Sequence, residues 1–288
     1  MRCFHHNDLD GRCAASLVKM FFPDCECREV SYMEEFPVDE IKPGEDVFIV
    51  DYSPGTPEEF EAVVEKAGQD RVVWIDHHGS SLEKHKKMGR ILDGLRSDTK
   101  PSGAMLTWRY LAKRFGEKKA PPGVVVLVDS WDTWTHKDNP LVLNFVEGMH
   151  TVDQSPWSNA WQRLLKRDAK FQRDVQKKGK VIREYQENNN REALEKFGFE
   201  TDLGGYKCLA CNTTFGSSKF FDSVKEKYDI FIVFVSDGDQ YKVSLYSETV
   251  PVDKIAKVYG GGGHPAASGF TCKKLPFKKL PDKSDKTK

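Results

Sequence analysis

Two short, continuously apolar runs, DVFIVD (46–51) and RVVWID (71–76), each close on an aspartate. Such runs lack the alternation of a half-exposed sheet, so they predict strands buried on both faces, with a carboxylate at the end of each. Helical patterns alternate with them. From Gly11 to Phe22 the apolar residues Ala14, Leu17, Val18, Phe21 and Phe22 fall at helical spacing. Thr56 followed by Pro57 and two glutamates predicts a capped helix start. Further helices are predicted from Ser102 to Phe115 and over 124–134, and a short strand over CFHH (3–6). Strands alternating with helices predict an α/β fold: a mostly parallel sheet with helices on its flanks.

After residue 150 the pattern changes. The stretch 151–200 is polar and helical and predicts a solvated connector, its charges forming an exposed face. Strand signals return in YKCLACN (206–212), YDIFIVFVSD (228–237) and YKVSLYSE (241–248), followed by a short helix, Val252 to Val258. The last residues, 273–288, hold seven lysines and two aspartates and predict a basic, disordered tail. The expected organisation is a first domain over 1–150, the connector 151–200, a smaller α/β domain over 201–272, and the tail.

Across 288 residues, 44 Lys and Arg balance 44 Asp and Glu. Zero net charge argues against coating long nucleic acid through a broad basic surface, but permits a short oligonucleotide in a local pocket. No run reaches the ~18 apolar residues of a membrane span. The N-terminal MRCFHHNDLDGRC has neither the apolar core nor the cleavage site of a signal peptide, so a cytoplasmic protein with no membrane partner is predicted. Seven scattered cysteines fit a reducing compartment. Cys25-x-Cys27 and Cys208-x-x-Cys211 lack finger-like spacing, so ordinary reduced thiols are the expected reading.

Ligands of open α/β sheets bind beyond the carboxyl ends of the strands. Three such ends here carry His5-His6-Asn7-Asp8-Leu9-Asp10, then Asp51, then Asp76-His77-His78. A single aspartate at a strand end is usually a turn or cap residue. Three sites at successive strand ends form a ring of carboxylates and imidazoles that repels itself unless cations lie within it. Oxygen-rich sets with imidazole and without thiolate suit manganese, magnesium or iron. Two such ions about 3.5–4 Å apart, sharing a carboxylate, activate water and stabilise a leaving phosphoester oxygen.

Gly260 to Gly263, followed by His264-Pro265, reads as a glycine-rich loop entering a helix with Pro265 in its first turn. Backbone amides of such a loop can cradle an anion. The Gly-Lys-Ser/Thr ending of a Walker loop is missing.

HNDLDG at 6–11, Asp51 in IVDYSP and IDHHGS at 75–80 resemble, in order, the first three motifs of the DHH phosphoesterase superfamily. GGGGHPAASGF at 260–270 resembles the signature of the companion DHHA1 domain. The first motif is closest to the form in RecJ-type nucleases and small oligoribonucleases. The resemblance spans residues 3 to about 271 and makes the first domain the metal-binding catalytic domain and the second the substrate-binding one.

What the resemblance implies is a site for two manganese ions, with Mg2+ or Co2+ as substitutes. His6 and Asp8 would hold one ion, Asp10 and His77 the other, with Asp51 bridging. A further aspartate from VVVLVDSWDTW (124–134) is expected on the second ion, and Asp129, at the end of the apolar run, is preferred over Asp132. Asp76 would orient the histidines and His78 would act beside the scissile phosphate. Gly261, Gly262, Gly263 and His264 would bind substrate. In one place the chain departs from the DHHA1 pattern, which has Ser-x-Arg-Ser before the glycine loop. Here Ser244-Leu245-Tyr246-Ser247 puts Tyr246 where the arginine stands. Tyrosine can hydrogen-bond a phosphate or stack on a base but brings no charge. Lys242 and Lys254 are candidates for compensation, although a solvated role is their default.

Trp131 and Trp134 near the fourth motif are expected in the core, with base stacking as the alternative. The loop 97–103 could place Lys100 towards phosphate. The expected activity is manganese-dependent hydrolysis of short single-stranded RNA, linear dinucleotides or 3′,5′-bisphosphorylated adenosine. A RecJ-like exonuclease on single-stranded DNA is the alternative within the same chemistry, with a family pyrophosphatase behind it, and a nucleotide-binding sensor is the alternative outside it. A homodimer is left open by the residues.

Overall fold

The computed structural model describes residues 1–79, 89, 91–98, 100–214, 220, 221, 224 and 227–281. Ser80 of the third motif, Thr99 of the loop 97–103 and the tail residues 282–288 lie outside them. The chain divides into two units, Met1–Arg183 and Glu184–Lys288.

The first unit is built on a parallel sheet of β1 (Arg2–His6), β2 (Glu26–Val30), β3 (Val47–Val50) and β4 (Val72–Ile75) in the order β2-β1-β3-β4. The chain leaves β1 to one side and returns on the other, so the topological switch point lies between β1 and β3, where α/β sheets bind ligands. Strand alternation feeds two cores. Cys3, Phe48, Val50, Val73 and Ile75 pack with α1 (Leu9–Phe21), α3 (Gly103–Phe115) and α4 (Gly123–Asp132). On the opposite side Phe4, Ile49 and Trp74 pack with Phe60, Val63 and Val64 of α2 (Pro57–Ala67). Thr56 and Glu59 form a capping box at the start of α2, as Ser/Thr-x-x-Glu spacing allows.

Helices α5 (Pro140–Met149), α6 (Asn159–Leu165) and α7 (Ala169–Phe197) follow. The stretch read from sequence as a solvated connector is in fact divided. Trp161, Leu164, Leu165 and Val175 are buried in the first unit's core, while Ala193 and Leu194, near the end of α7, pack in the second unit. Helical apolar residues hidden in a charged run carry the difference.

The second unit holds a mixed six-stranded sheet: β5 (Gly198–Leu203), β6 (Tyr206–Asn212), β7 (Ile230–Ser236), β8 (Tyr241–Tyr246), β9 (Gly262–His264) and β10 (Ala267–Cys272), in the order β5-β6-β7-β8-β10-β9. Only β6 and β7 pair in parallel; the other neighbours are antiparallel. α8 (Val252–Val258) covers one face through Val252 and Ala256. The glycine cluster does not enter a helix. Gly262, Gly263 and His264 pair with Gly269, Ser268 and Ala267, so Pro265 and Ala266 form the two-residue turn of a β-hairpin. A Cβ on Gly261 would lie 2.0 Å from the carbonyl oxygen of Gly269, so the missing side chain admits a neighbouring strand. The expected tail is also partly structured: Phe277 is buried, Thr201 Oγ1 donates to the carbonyl of Lys278, and the amide of Leu280 donates to the carbonyl of Glu200.

Candidate metal centre

The acidic groups at the first unit's switch point are placed by the ends of strands and the ends of helices, Asp132 as the last residue of α4. His6 ends β1; Asp8 caps α1, its carboxylate accepting the amide of Gly11 at 2.9 Å. Asp10, in the first turn of α1, accepts the amides of Gly103 at 2.7 Å and Ala104 at 3.1 Å. It thereby caps α3 from 93 residues upstream. That docking needs Gly103, where a Cβ would meet the Cβ of Asp51 at 2.5 Å. Asp51 follows β3 with a left-handed φ of 53°, a costly conformation for a non-glycine residue.

The side chains converge. His6 Nδ1 lies 2.7 Å from Asp8 Oδ2 and 4.0 Å from Asp51 Oδ2. His77 Nε2 lies 3.2 Å from Asp51 Oδ1, 3.3 Å from Asp132 Oδ2 and 3.8 Å from Asp10 Oδ2. Three overlapping groups have ligand atoms within 4.8 Å of one another: His6, Asp8 and Asp51; Asp10, His77 and Asp132; Asp51, His77 and His78. Asp51 is common to two of them.

Asp51 and Asp132 test whether cations suit this place. Asp51 is 1% exposed, yet neither of its carboxylate oxygens has a hydrogen-bond partner, and the same holds for Oδ2 of Asp132. Buried, unpartnered carboxylate oxygens are costly in a fold and are satisfied by cations. Burial raises the carboxyl of Asp51 well above its ordinary range, with Asp10, Asp8, Asp76 and Asp132 adding repulsion. Burial and Asp132 push Asp10 to about 7, and burial raises Asp132 as well. Asp8 differs: burial works against its charge, but the hydrogen bond and charge of His6 outweigh it and hold the carboxyl at about 2. The donor set of carboxylates and imidazoles fits hard or borderline divalent cations.

Beside the cluster, Asp76 Oδ1 accepts the amides of His77 at 2.8 Å and His78 at 3.3 Å, and Nδ1 of His78 at 2.7 Å. That hydrogen bond is the main cause of a raised His78 pKa, ahead of the opposing effect of burial.

One expected residue lies elsewhere. Asp129 directs Oδ1 to the amide of Ser102 at 2.8 Å, so it anchors the start of α3, and Asp132, one helical turn later, is the residue beside His77. In the second unit, Ser244 and Tyr246 both point from β8 to the face opposite Val243 and Leu245, with Tyr246 against Phe231 and its neighbours. Gly263 and His264 are exposed in the hairpin, with Gly261 and Gly262 half-buried. Lys242, Lys254 and Lys100 are exposed. The paired cysteines lie in different units, Cys25 and Cys27 in the first, Cys208 and Cys211 in the second. Among the described residues, no helix is long and apolar enough to cross a membrane.

Residues 215–286 match the model of the DHHA1 domain family. The oligoribonuclease NrnB of Bacillus subtilis (strain 168) is 26% identical over 292 residues, which cover 92% of this chain and 71% of the relative. Among solved structures, the pGpG-specific phosphodiesterase PggH from Vibrio cholerae superposes with a TM-score of 0.58 at 15% identity, over 94% of this chain and 93% of that one. The DHH domain of a protein from a ribosomal-protein family gives 0.54 at 16% identity, over 93% and 81%. Two-domain α/β architecture is thus shared with DHH proteins. The chain carries a match to the DHHA1 domain family over residues 215–286 and is similar in fold to DHH proteins.

Proposed function

We propose that this chain is a phosphodiesterase that uses two divalent cations, manganese foremost, to hydrolyse short single-stranded oligonucleotides to mononucleotides. The observation that carries the reading is Asp51, buried with no hydrogen bond to either oxygen and standing in two ligand groups at once. His6 and Asp8 are the proposed ligands of one cation, Asp10, His77 and Asp132 those of the other, and Asp51 serves both. Asp132 replaces Asp129 in this set because the carboxylate of Asp129 is held by Ser102. Bound there, the cations supply a water of lowered pKa and positive charge for the developing phosphoryl oxygens.

The chain's own groups do the rest. Asp10 and Asp51 fix the two halves of the site to α1, α3 and β3. Asp76 holds the Nδ1 proton of His78, which leaves Nε2 as the atom that can hydrogen-bond a phosphate oxygen or protonate the leaving oxygen. A raised pKa favours the protonated, donating form. Ser244, Tyr246 and the hairpin residues Gly261, Gly262, Gly263 and His264 are the proposed contacts to the rest of the substrate. The short-substrate preference is supported by the 26% identity with an oligoribonuclease over 92% of the chain, and by a net charge of zero.

Turnover of 5′-labelled RNA dinucleotide, pentanucleotide and 20-mer with Mn2+ tests the reading, with Asp51→Ala, His77→Ala protein as control. Fastest loss of the short species, absent in the control, is the expected result. Faster cutting of the 20-mer or of matched DNA would replace the reading with a RecJ-like one. Tight binding without turnover would make the protein a sensor.

A further inference from the structure

Two exposed aromatic residues lie near the acidic cluster, one in ring contact with its histidines and one close in sequence to Asp132. The first is Tyr32, just beyond the end of β2. Its ring lies 5.2 Å from the His6 ring and 6.0 Å from the His78 ring, both as edge or tilted contacts. Tyr52 covers one face of the ring at 4.6 Å and 26°. Tyr32 is nevertheless 46% exposed, and Tyr52 is in turn stacked on Phe36. A stack of three rings thus ends in an exposed aromatic residue beside two imidazoles of the site.

The second, Trp134, follows Asp132 by two residues, which limits their Cα separation to about 7.6 Å. Trp134 was expected in the core; instead it is 72% exposed and has a left-handed φ of 55°, unusual for so bulky a residue. Its ring is stacked on Trp131 at 6.1 Å and 22°, and Trp131 on buried His136 at 5.4 Å and 22°. Here too the stack is anchored in the fold at one end and open at the other.

An exposed aromatic ring backed by further rings suits a flat, polarizable ligand group, and nucleobases stack on such rings whatever their hydrogen-bonding pattern. We infer that Tyr32, beside His6 and His78, and Trp134, two residues beyond Asp132, are two separate base-stacking faces of the metal centre, so that the preferred substrate is a diester with one nucleobase on each side of the scissile phosphate. This rests on the phosphodiesterase reading for the position of the phosphate. It adds a reason for short substrates: both bases are held by the first unit beside the cut, with no need of a long chain. Tyr32 contacts His6 and His78, members of two of the ligand groups, and Trp134 lies two residues beyond Asp132 of the third.

The test is calorimetric binding, with Mn2+ present, of an adenine dinucleotide whose bridging oxygen is replaced by methylene, and of two analogues that each lack one base. Tyr32→Ala and Trp134→Ala are each expected to weaken the full dinucleotide about tenfold, within the range of a lost base stack. Each penalty should shrink on one of the one-base analogues, a different analogue for each substitution. Tyr32→Phe and Trp134→Phe should recover most of the affinity, which separates stacking from a folding defect. Equal penalties on all three probes, no penalty at all, or coupling of both substitutions to the same base would overturn the inference. Turnover of the ordinary dinucleotide by the unaltered protein reports on the other reading alone: base-coupled binding without cleavage would defeat the phosphodiesterase proposal and leave the two stacking faces standing.

Discussion

The two sheets of this molecule treat polar groups in opposite ways. At the ends of β1, β3 and β4, Asp10, Asp51 and Asp132 are drawn together in a buried or half-buried cluster where Asp51 has no hydrogen-bond partner. In the second unit, the glycine-rich segment is consumed by backbone pairing: Gly262 to His264 is a strand, and its side-chain-bearing residue, His264, is exposed. The first region bears electrostatic strain that a bound ligand can relieve. The second is relaxed without one. Strain of this kind marks where chemistry is expected, and the hairpin's glycines answer first to the needs of the strand beside them.

The sharpest way to break this contrast is Asp51→Asn, nearly isosteric but uncharged. Activity should fall by about a thousandfold or more, since the shared carboxylate is lost for both cations. The cation-free protein should meanwhile become more stable by about 1–3 kcal/mol in a urea titration at pH 8, because a group whose ionisation is opposed by burial and by the neighbouring aspartates is removed. A loss of stability would mean that Asp51 is satisfied in the fold and the strain is absent. Next in size, Asp132→Asn is expected to weaken cation binding by about 10–100-fold. Asp129→Ala should instead cost about 1 kcal/mol of stability through the released Ser102 amide, and weaken the cation far less. Equal effects in cation titrations would undo the distinction between these neighbours.

In the second unit the expected damage is mechanical. Gly261→Ala forces a Cβ against the Gly269 carbonyl, so the hairpin should lose about 2–3 kcal/mol of stability. Cation affinity at the first unit should stay within about twofold of the unaltered protein, as for independent sites. A pH series sharpens the same point. The carboxyls of Asp10, Asp51 and Asp132 are raised in the fold. Their contribution to stability is therefore full below about pH 4 and is lost as pH rises through the folded values, about 7 for Asp10. The cation-free melting temperature should thus fall between pH 5 and pH 8 by about 2–4 °C for each kcal/mol lost. Saturating Mn2+ should remove most of that fall. Smallest of all, His264→Ala should leave stability within about 0.5 kcal/mol, as for exposed residues, while raising KM for a dinucleotide several-fold.

Legibility followed physical locality. The strand ends could be read because an apolar run and its closing aspartate are contiguous; β1, β3 and β4 form, and the side chains of His6, Asp8, Asp10, Asp51 and His77 come together near their ends. Asp129 and Asp132 could not be separated, because the deciding contact is the amide of Ser102, 27 residues away. β2 escaped notice since ECREV is charged and only its last residue is buried. The hairpin was mistaken for a helix entrance because glycines serve an anion nest and a close strand contact equally well, and only the partner strand distinguishes them. Tyr32 carried no local signal; its place beside His6 and His78 comes from the neighbouring strand.

The central claim is that Asp51 joins two cations in one site. Electron paramagnetic resonance of the protein titrated with Mn2+ tests it most directly, since two ions sharing a carboxylate are magnetically coupled. Two Mn2+ per chain with a coupled spectrum, converted to an uncoupled one by Asp51→Asn, is the predicted result. A single ion, or two ions without coupling in the unaltered protein, would contradict it.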